Sequence, residues 1–302
     1  MSNYSPITLF VYNRFTHTRQ TVEALQKNTL ARQSNLIIFS DAPKTQANAS
    51  AVVNVREYIH QIDGFKSVSI VERPKNLGLA NSIIDGVTSV VNKHGRVIVL
   101  EDDMVTSPFF LQYMNDGLNV YESNEDVASI HGYVYPIKDL PETFFLKGAD
   151  CWGWATWKEK WAMFEPDGVK LLDELKSRNL TNRFDLNGAY SFTQMLADQI
   201  AGKNNSWAVR WHASVFLKNK YTLYPGKSLV LNIGNDGSGT HCGETDKFSS
   251  ELCYEAIKVY PITAEDNQQA LLSIERYFRS QKGSLMTRFR QLVIKSYREI
   301  VK

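Results

Sequence analysis

Along the first third of the chain, short apolar and β-branched runs alternate with longer stretches whose apolar positions recur at helical spacing. Ile7–Val11, Leu36–Phe39, Val68–Val71 and Val97–Leu100 read as strands. Thr16–Asn28, with Thr16 available as its cap, Ala47–Gln61 and Leu79–Val91 read as the helices between and after them. Such alternation predicts βαβ units and a largely parallel sheet covered on both faces. Ligands in these sheets sit beyond the carboxyl ends of the strands. That rule picks out Asn13-Arg14, Ser40-Asp41 and Glu101-Asp102-Asp103, because each follows a strand directly. Three polar clusters at three strand ends outline one cleft.

Beyond the acidic cluster the pattern loosens. Pro108–Tyr121 reads as a helix, Val127–Tyr135 as a strand, and Ser191–Ala201 as a helix ahead of Trp207–Leu217. Between them lies an aromatic segment, Cys151–Trp157, followed by Trp161 and Phe164. Asn232–Cys242 is rich in Gly and Asn, and from about Ser249 the chain reads as helix. The pattern divides the chain into an α/β domain over 1–245 and a helical extension over 246–302, with neither repeats nor low-complexity segments.

Composition adds little but excludes several classes. The 302 residues are 43% hydrophobic and 22% charged, as in ordinary globular proteins, and can bury a sizeable core. A net charge of +2 gives no argument for nucleic acid. No run approaches the length that spans a bilayer, and Met1–Pro6 lacks the layout of a signal peptide. Cys151, Cys242 and Cys253 are widely spaced and odd in number, which argues against a disulfide framework and fits a cytoplasmic protein.

The chemistry concentrates at Glu101-Asp102-Asp103. Adjacent carboxylates repel one another, and a fold that gathers them at a strand end does so where a cation neutralises them. Hard oxygen donors suit Mn2+ or Mg2+ carrying a diphosphate. Asp41 could present its carboxylate to a base or ribose edge, or cap the next turn. Arg73–Ser82 opens a helix with Asn76, Gly78 and other short polar residues, and a helix N-terminus can receive phosphate or a nucleoside. The rings of Trp152, Trp154 and Trp157 could stack on sugar faces or be core.

Taken in order, these pieces resemble inverting glycosyltransferases of the GT-A fold, a Rossmann-like α/β arrangement with a mixed sheet. The likeness is to bacterial family 2-like sugar transferases and N-acetylglucosaminyltransferase I. It rests on Phe10-Val11-Tyr12-Asn13-Arg14, Phe39-Ser40-Asp41, Asn76-Leu77-Gly78, Leu100–Asp103, Gly153-Trp154, Trp207 with Trp211, Asn232–Gly234 and Gly239–His241. The resemblance implies transfer of a sugar from a nucleotide-sugar, a UDP-sugar first, to a saccharide or lipid-linked glycan acceptor, as in surface polysaccharide synthesis. By position, Asp41 would read the uracil edge, with Asn13, Arg14, Asn76 and Gly78 beside the nucleotide. Asp103 would ligate the metal with Asp102 as second candidate, and Asp102 and Glu101 would hold ribose and donor sugar. Trp152, Gly153 and Trp154 would face the acceptor. His241 would contact phosphate or simply bond loop backbone.

One departure matters. An inverting transfer needs a general base, and the resembled proteins carry an acidic residue after the first Trp of this segment. Here the chain reads Trp207-Ala208-Val209-Arg210-Trp211, and alanine accepts no proton. Either Ala208 stands where the enzyme has Asp, or another carboxylate serves, with Asp198 nearest, or the chain binds without turnover. A sugar nucleotidyltransferase or an NAD-type oxidoreductase would need a Gly-rich loop after the first strand, and Tyr12–Thr16 contains no glycine. The tail, 282–302, is basic with apolar residues near helical spacing, fitting either a membrane surface or packing against protein.

Overall fold

The computed structural model describes residues 4–237 and 247–281; His241, Cys242 and the basic tail lie outside these. Among the described residues ten strands form two sheets: β1 (Ile7–Val11), β2 (Asn35–Ser40), β3 (Ser67–Glu72), β4 (Arg96–Glu101), β5 (Met104–Thr106), β6 (Val127–His131), β7 (Thr143–Lys147), β8 (Trp154–Trp157), β9 (Tyr221–Pro225) and β10 (Val230–Asn232). The α-helices are α1 (Phe15–Gln26), α2 (Ala49–Ile59), α3 (Leu79–His94), α4 (Phe110–Val120), α5 (Lys158–Trp161), α6 (Gly168–Ser177), α7 (Thr181–Phe184), α8 (Phe192–Ile200), α9 (Trp207–Leu217) and α10 (Gln268–Gln281).

The large sheet runs β3-β2-β1-β4-β8-β6-β9-β7. Its first four strands are parallel, as the alternating pattern requires. β8 then runs antiparallel to both β4 and β6, and β7 antiparallel to β9, so the sheet is mixed. Side chains alternate across it. Ile7, Leu9, Val11, Ile98 and Leu100 face α1, α2 and α4, while Phe10, Val97 and Val99 face α3, α5 and α9. Both faces are therefore covered, and polar chemistry is confined to strand ends.

Three expectations change. α1 starts at Phe15 with Arg14 at its N-cap and no side-chain cap, so Thr16 lies inside the helix. β6 stops at His131, short of the expected Tyr135. The helix expected from Ser249 begins only at Gln268. Ahead of it the backbone bonds to the core instead: Cys253 N–H donates to Ser228, and the Ser107 and Tyr121 hydroxyls donate to the Cys253 and Tyr260 carbonyls. Pro261 removes a further helical donor.

Candidate functional site

Parallel register brings the polar clusters to one edge. Phe10 pairs with both Phe39 and Glu101, and Val11 pairs with Ser40. Asn13-Arg14, Asp41 and Glu101-Asp102-Asp103 thus leave the sheet side by side. Asp102 and Asp103 form the turn between β4 and β5, where the chain passes from the large sheet to the small one.

Asp102 and Asp103 are buried and Glu101 is partly so. One Arg14 nitrogen donates to both Asp102 and Asp103, the latter at 2.7 Å. Burial works to lower the Arg14 pKa, but the two carboxylates outweigh it and raise the value. Glu101 and Asp102 hold their own protons tightly. Burial raises Glu101 to about 8, with Asp103 and Asp102 adding and Arg14 and a Trp207 hydrogen bond opposing. Burial raises Asp102 to about 6 against the pull of Arg14. One guanidinium does not neutralise three carboxylates.

A loop closes over the triplet. Ile233 N–H donates to the Asp103 carbonyl at 2.9 Å, and Gly234 N–H to Asn232 Oδ1 at 2.7 Å. A Cβ at Gly234 would fall 2.1 Å from Asp103 Oδ2, so only glycine permits this approach. His17 reaches Asp236 at 3.1 Å and bears on Asp102. Asp103 Oδ1 and Asn235 Oδ1 are buried acceptors with no partner.

Among the described residues no group of three His, Cys, Asp or Glu side chains is arranged to hold a metal ion. The donor set nonetheless fits a cation held by one or two carboxylates, with the remaining positions filled by phosphate oxygens and water. Asp103 offers a buried, unpartnered oxygen for it.

The other expected residues fall into distinct environments. Asp41 accepts from Ala42, Leu77 and Gly78 N–H at 2.9–3.1 Å, contacts that use both oxygens and occupy its acceptor sites. It clasps the start of α3, whose N-cap Gly78 has φ 73°, instead of presenting a free carboxylate to a base. Asn76 joins the clasp, donating to the Ala42 carbonyl at 2.6 Å. Asn13 is partly exposed beside Arg14.

Trp154 corrects an expectation. It is fully buried and stacks on Trp207 at 5.4 Å between ring centres, with Trp211 at 5.9 Å and Trp161 at 5.6 Å. The side chain belongs to the core because β8 lies inside the sheet, and it cannot meet an acceptor. Gly153 is buried too, and a Cβ there would lie 2.7 Å from Val230. Trp152 alone of this trio keeps an accessible surface, edge-on to Tyr133 at 4.7 Å and Phe248 at 5.7 Å.

Ser206 caps α9, accepting from Val209 N–H at 3.2 Å, which puts Trp207 and Ala208 in its first turn. Trp207 lies beside Glu101 and favours its ionised form, so position 208 is one residue from a neighbour of the triplet. Asp198 sits on α8, bound by Lys203 and Gln194 at 3.1 Å, and these hydrogen bonds lower its pKa. Residues missed from sequence are Trp207 as a Glu101 partner, and His17. Arg14 and His17 are three apart at a helix start, a spacing that places both on one face.

No protein-family model and no curated protein matches the chain. Among solved structures, S. aureus TarS (residues 1–349) is 9% identical over 59% of this chain and 49% of its own, with TM-score 0.34. The chain spans about half of that structure. Mannosyltransferase PcManGT from Pyrobaculum calidifontis, in complex with GDP-Man and Mn2+, is 10% identical over 72% of this chain and 70% of its own, with TM-score 0.35. Glucosyl-3-phosphoglycerate synthase from Mycobacterium tuberculosis, with Mn2+, UDP and glucosyl-3-phosphoglycerate, is 10% identical over 59% and 67%, with TM-score 0.32. Likenesses this loose assign neither activity nor ligand; the geometry must do so.

Proposed function

We propose that the chain is a metal-dependent glycosyltransferase of GT-A type, moving a sugar from a nucleotide-sugar, UDP-linked first, to a saccharide or lipid-linked glycan acceptor with inversion. One observation carries this reading: three packed carboxylates at the carboxyl end of β4 face a single guanidinium and leave Asp103 Oδ1 without a partner. Such a site stores affinity for a cation that arrives with a diphosphate.

Asp103 and Asp102 would hold Mn2+ or Mg2+, which when bound supplies Lewis-acid neutralisation of the departing diphosphate. Arg14, freed from Asp103, turns its positive charge towards the same phosphates. Glu101, beside Trp207, would hydrogen-bond donor hydroxyls. The glycine and amides at the start of α3 leave open space beside Gly78 for the nucleoside. Gly234 and the loop around it keep water from the carboxylates. Trp152 offers a ring to the acceptor.

A thermal-shift panel of UDP- and GDP-sugars with and without Mn2+ tests the reading. A ligand bound only by the folded state raises its stability by mass action. The expected result is a shift that needs both Mn2+ and a nucleotide-sugar and vanishes in Asp103→Asn. No shift with any nucleotide-sugar sinks it. A second reading, a nucleotide-sugar-binding protein without turnover, draws on Ala208; slow hydrolysis of a bound donor rules it out. Among the described residues no helix is long and apolar enough to cross a membrane. Contact of 282–302 with an anionic membrane is testable by liposome flotation of the full chain against one ending at 281.

A further inference from the structure

The proposed transfer lacks a proton acceptor, since Ala208 has none to offer and Asp198 is weakened as a base by Lys203 and Gln194. The fold places another carboxylate at the right edge. β8 pairs antiparallel with β4, Val99 opposite Trp154, so the chain just before Trp154 leaves the sheet where β4 ends. Gly153 confirms the proximity, since a Cβ there would lie 3.4 Å from Leu100, next to Glu101. Asp150 stands at the head of this segment, partly exposed, two residues before Trp152.

Its carboxylate is held but not saturated. Oδ1 accepts from Cys151 N–H at 2.9 Å and Oδ2 from the Tyr135 hydroxyl at 3.4 Å, which leaves acceptor sites open. The titratable groups that feel its charge are His131, His212, Tyr133, Tyr135 and Tyr224, and none of them is a cation built to neutralise it. Tyr135 in turn packs on Phe248 and Phe278, at 6.4 and 4.8 Å between ring centres. Those two rings wall a cleft of about 640 Å³ that also presents Tyr190, Gln194 and Asp198. Ring faces among amides and a carboxylate suit a saccharide.

We propose, resting on the glycosyltransferase reading, that Asp150 takes the proton of the acceptor hydroxyl, the saccharide being seated between Trp152 and this cleft. The hydroxyl oxygen forms the new bond to the anomeric carbon. The bond from that carbon to the diphosphate oxygen breaks, its electron pair leaving with the diphosphate, and the hydroxyl proton passes to Asp150.

The test uses the full chain with Mn2+ and UDP-glucose, UDP-galactose or UDP-N-acetylglucosamine, water standing in for the acceptor. Asp150→Asn keeps the shape and one acceptor oxygen for the Cys151 N–H, while its amide NH2 would donate to the Tyr135 hydroxyl where the carboxylate accepts from it. It should lower donor hydrolysis by about 100-fold or more, the range of general-base catalysis, and erase the acid limb of the pH–rate profile. UDP affinity should stay within about twofold, far below the tenfold that 1.4 kcal/mol represents. Tyr135→Phe removes the hydroxyl that orients the Asp150 carboxylate and should lower kcat for donor hydrolysis while the donor KM stays unchanged. That variant carries the test if Asp150→Asn fails to fold. Hydrolysis at the wild-type rate in Asp150→Asn, or an unchanged kcat in Tyr135→Phe, overturns the assignment while leaving the donor site intact. Wild-type protein that binds no nucleotide-sugar overturns the glycosyltransferase reading, and this one with it.

Discussion

The two halves of the large sheet use polar and aromatic residues in opposite ways. In the parallel half, β3-β2-β1-β4, polar groups appear at the strand ends, and the interiors are aliphatic with Phe10 stacked on Phe39. In the other half, β8-β6-β9-β7, aromatic rings fill the interior, with Trp154 at the centre of a cluster holding Trp161, Trp207 and Trp211. The halves share one buried cluster, where Phe10, Phe39, Val97 and Val99 pack with Trp154, Trp161, Trp207 and Trp211, and Trp207 lies beside Glu101. The difference teaches that the parallel half makes a site and the aromatic half holds it in place. At the rim of the aromatic half, Trp152 and Asp150 are partly exposed.

The sharpest way to break this comparison is to remove the ring at its centre. Trp154→Ala should cost about 3–5 kcal/mol, the usual loss for a fully buried aromatic, and lower Tm by on the order of 10 °C. Trp152→Ala should lower Tm far less and instead weaken use of saccharide acceptors. Equal Tm losses in calorimetry would mean that Trp152 is core as well.

The next effect tests the parallel half. Asp103→Asn keeps the shape but removes the charge with the unpartnered oxygen, and should lower Mn2+-dependent donor turnover by on the order of 10²- to 10³-fold, comparable to losing one preorganised electrostatic contact. The folded state should survive, since Arg14 keeps Asp102 as a partner. Asp41→Ala behaves differently although it sits at the same edge. It strips an acceptor from the Ala42 N–H and from two backbone N–H groups at the start of α3, and should cost about 2–3 kcal/mol in chemical denaturation. A loss of nucleotide affinity without loss of stability would instead make Asp41 a ligand contact.

The parallel half was legible in the chain because two signals coincide there. β-branched runs mark strands, and each ends in a polar cluster that a buried strand could not carry, as at Val11–Arg14 and Leu100–Asp103. The aromatic half was not, because a tryptophan has the same side chain whether it stacks on a sugar or on another tryptophan. Trp154 opens β8 inside the sheet, while Trp152 lies two residues ahead of it. The strap before α10 was misread for a related reason. Cys253 and Ile257 are four apart and both buried, a helical spacing, yet they dock from an extended chain whose backbone bonds are tertiary. Asp41 shows the same limit for polar groups, since a clasp and a ligand contact need the same carboxylate.

The smallest effect is a pH dependence, and it asks how dry the junction between the halves is. Burial raises Glu101 to about 8 and Asp102 to about 6, so between about pH 4 and 8 the folded chain binds more protons than the unfolded one. Stability from these groups therefore falls as pH rises through that window. Glu101→Gln, which is neutral throughout, should gain stability relative to the original chain as metal-free samples go from pH 5 to 8.5. Mn2+ should narrow the gap at the alkaline end, because a bound cation favours the ionised carboxylates. Melting curves of both forms with and without Mn2+ read this directly. A gap that does not change with pH would mean that Glu101 is ionised and hydrated throughout, and that the Trp207 contact does not seal the aromatic half against the site.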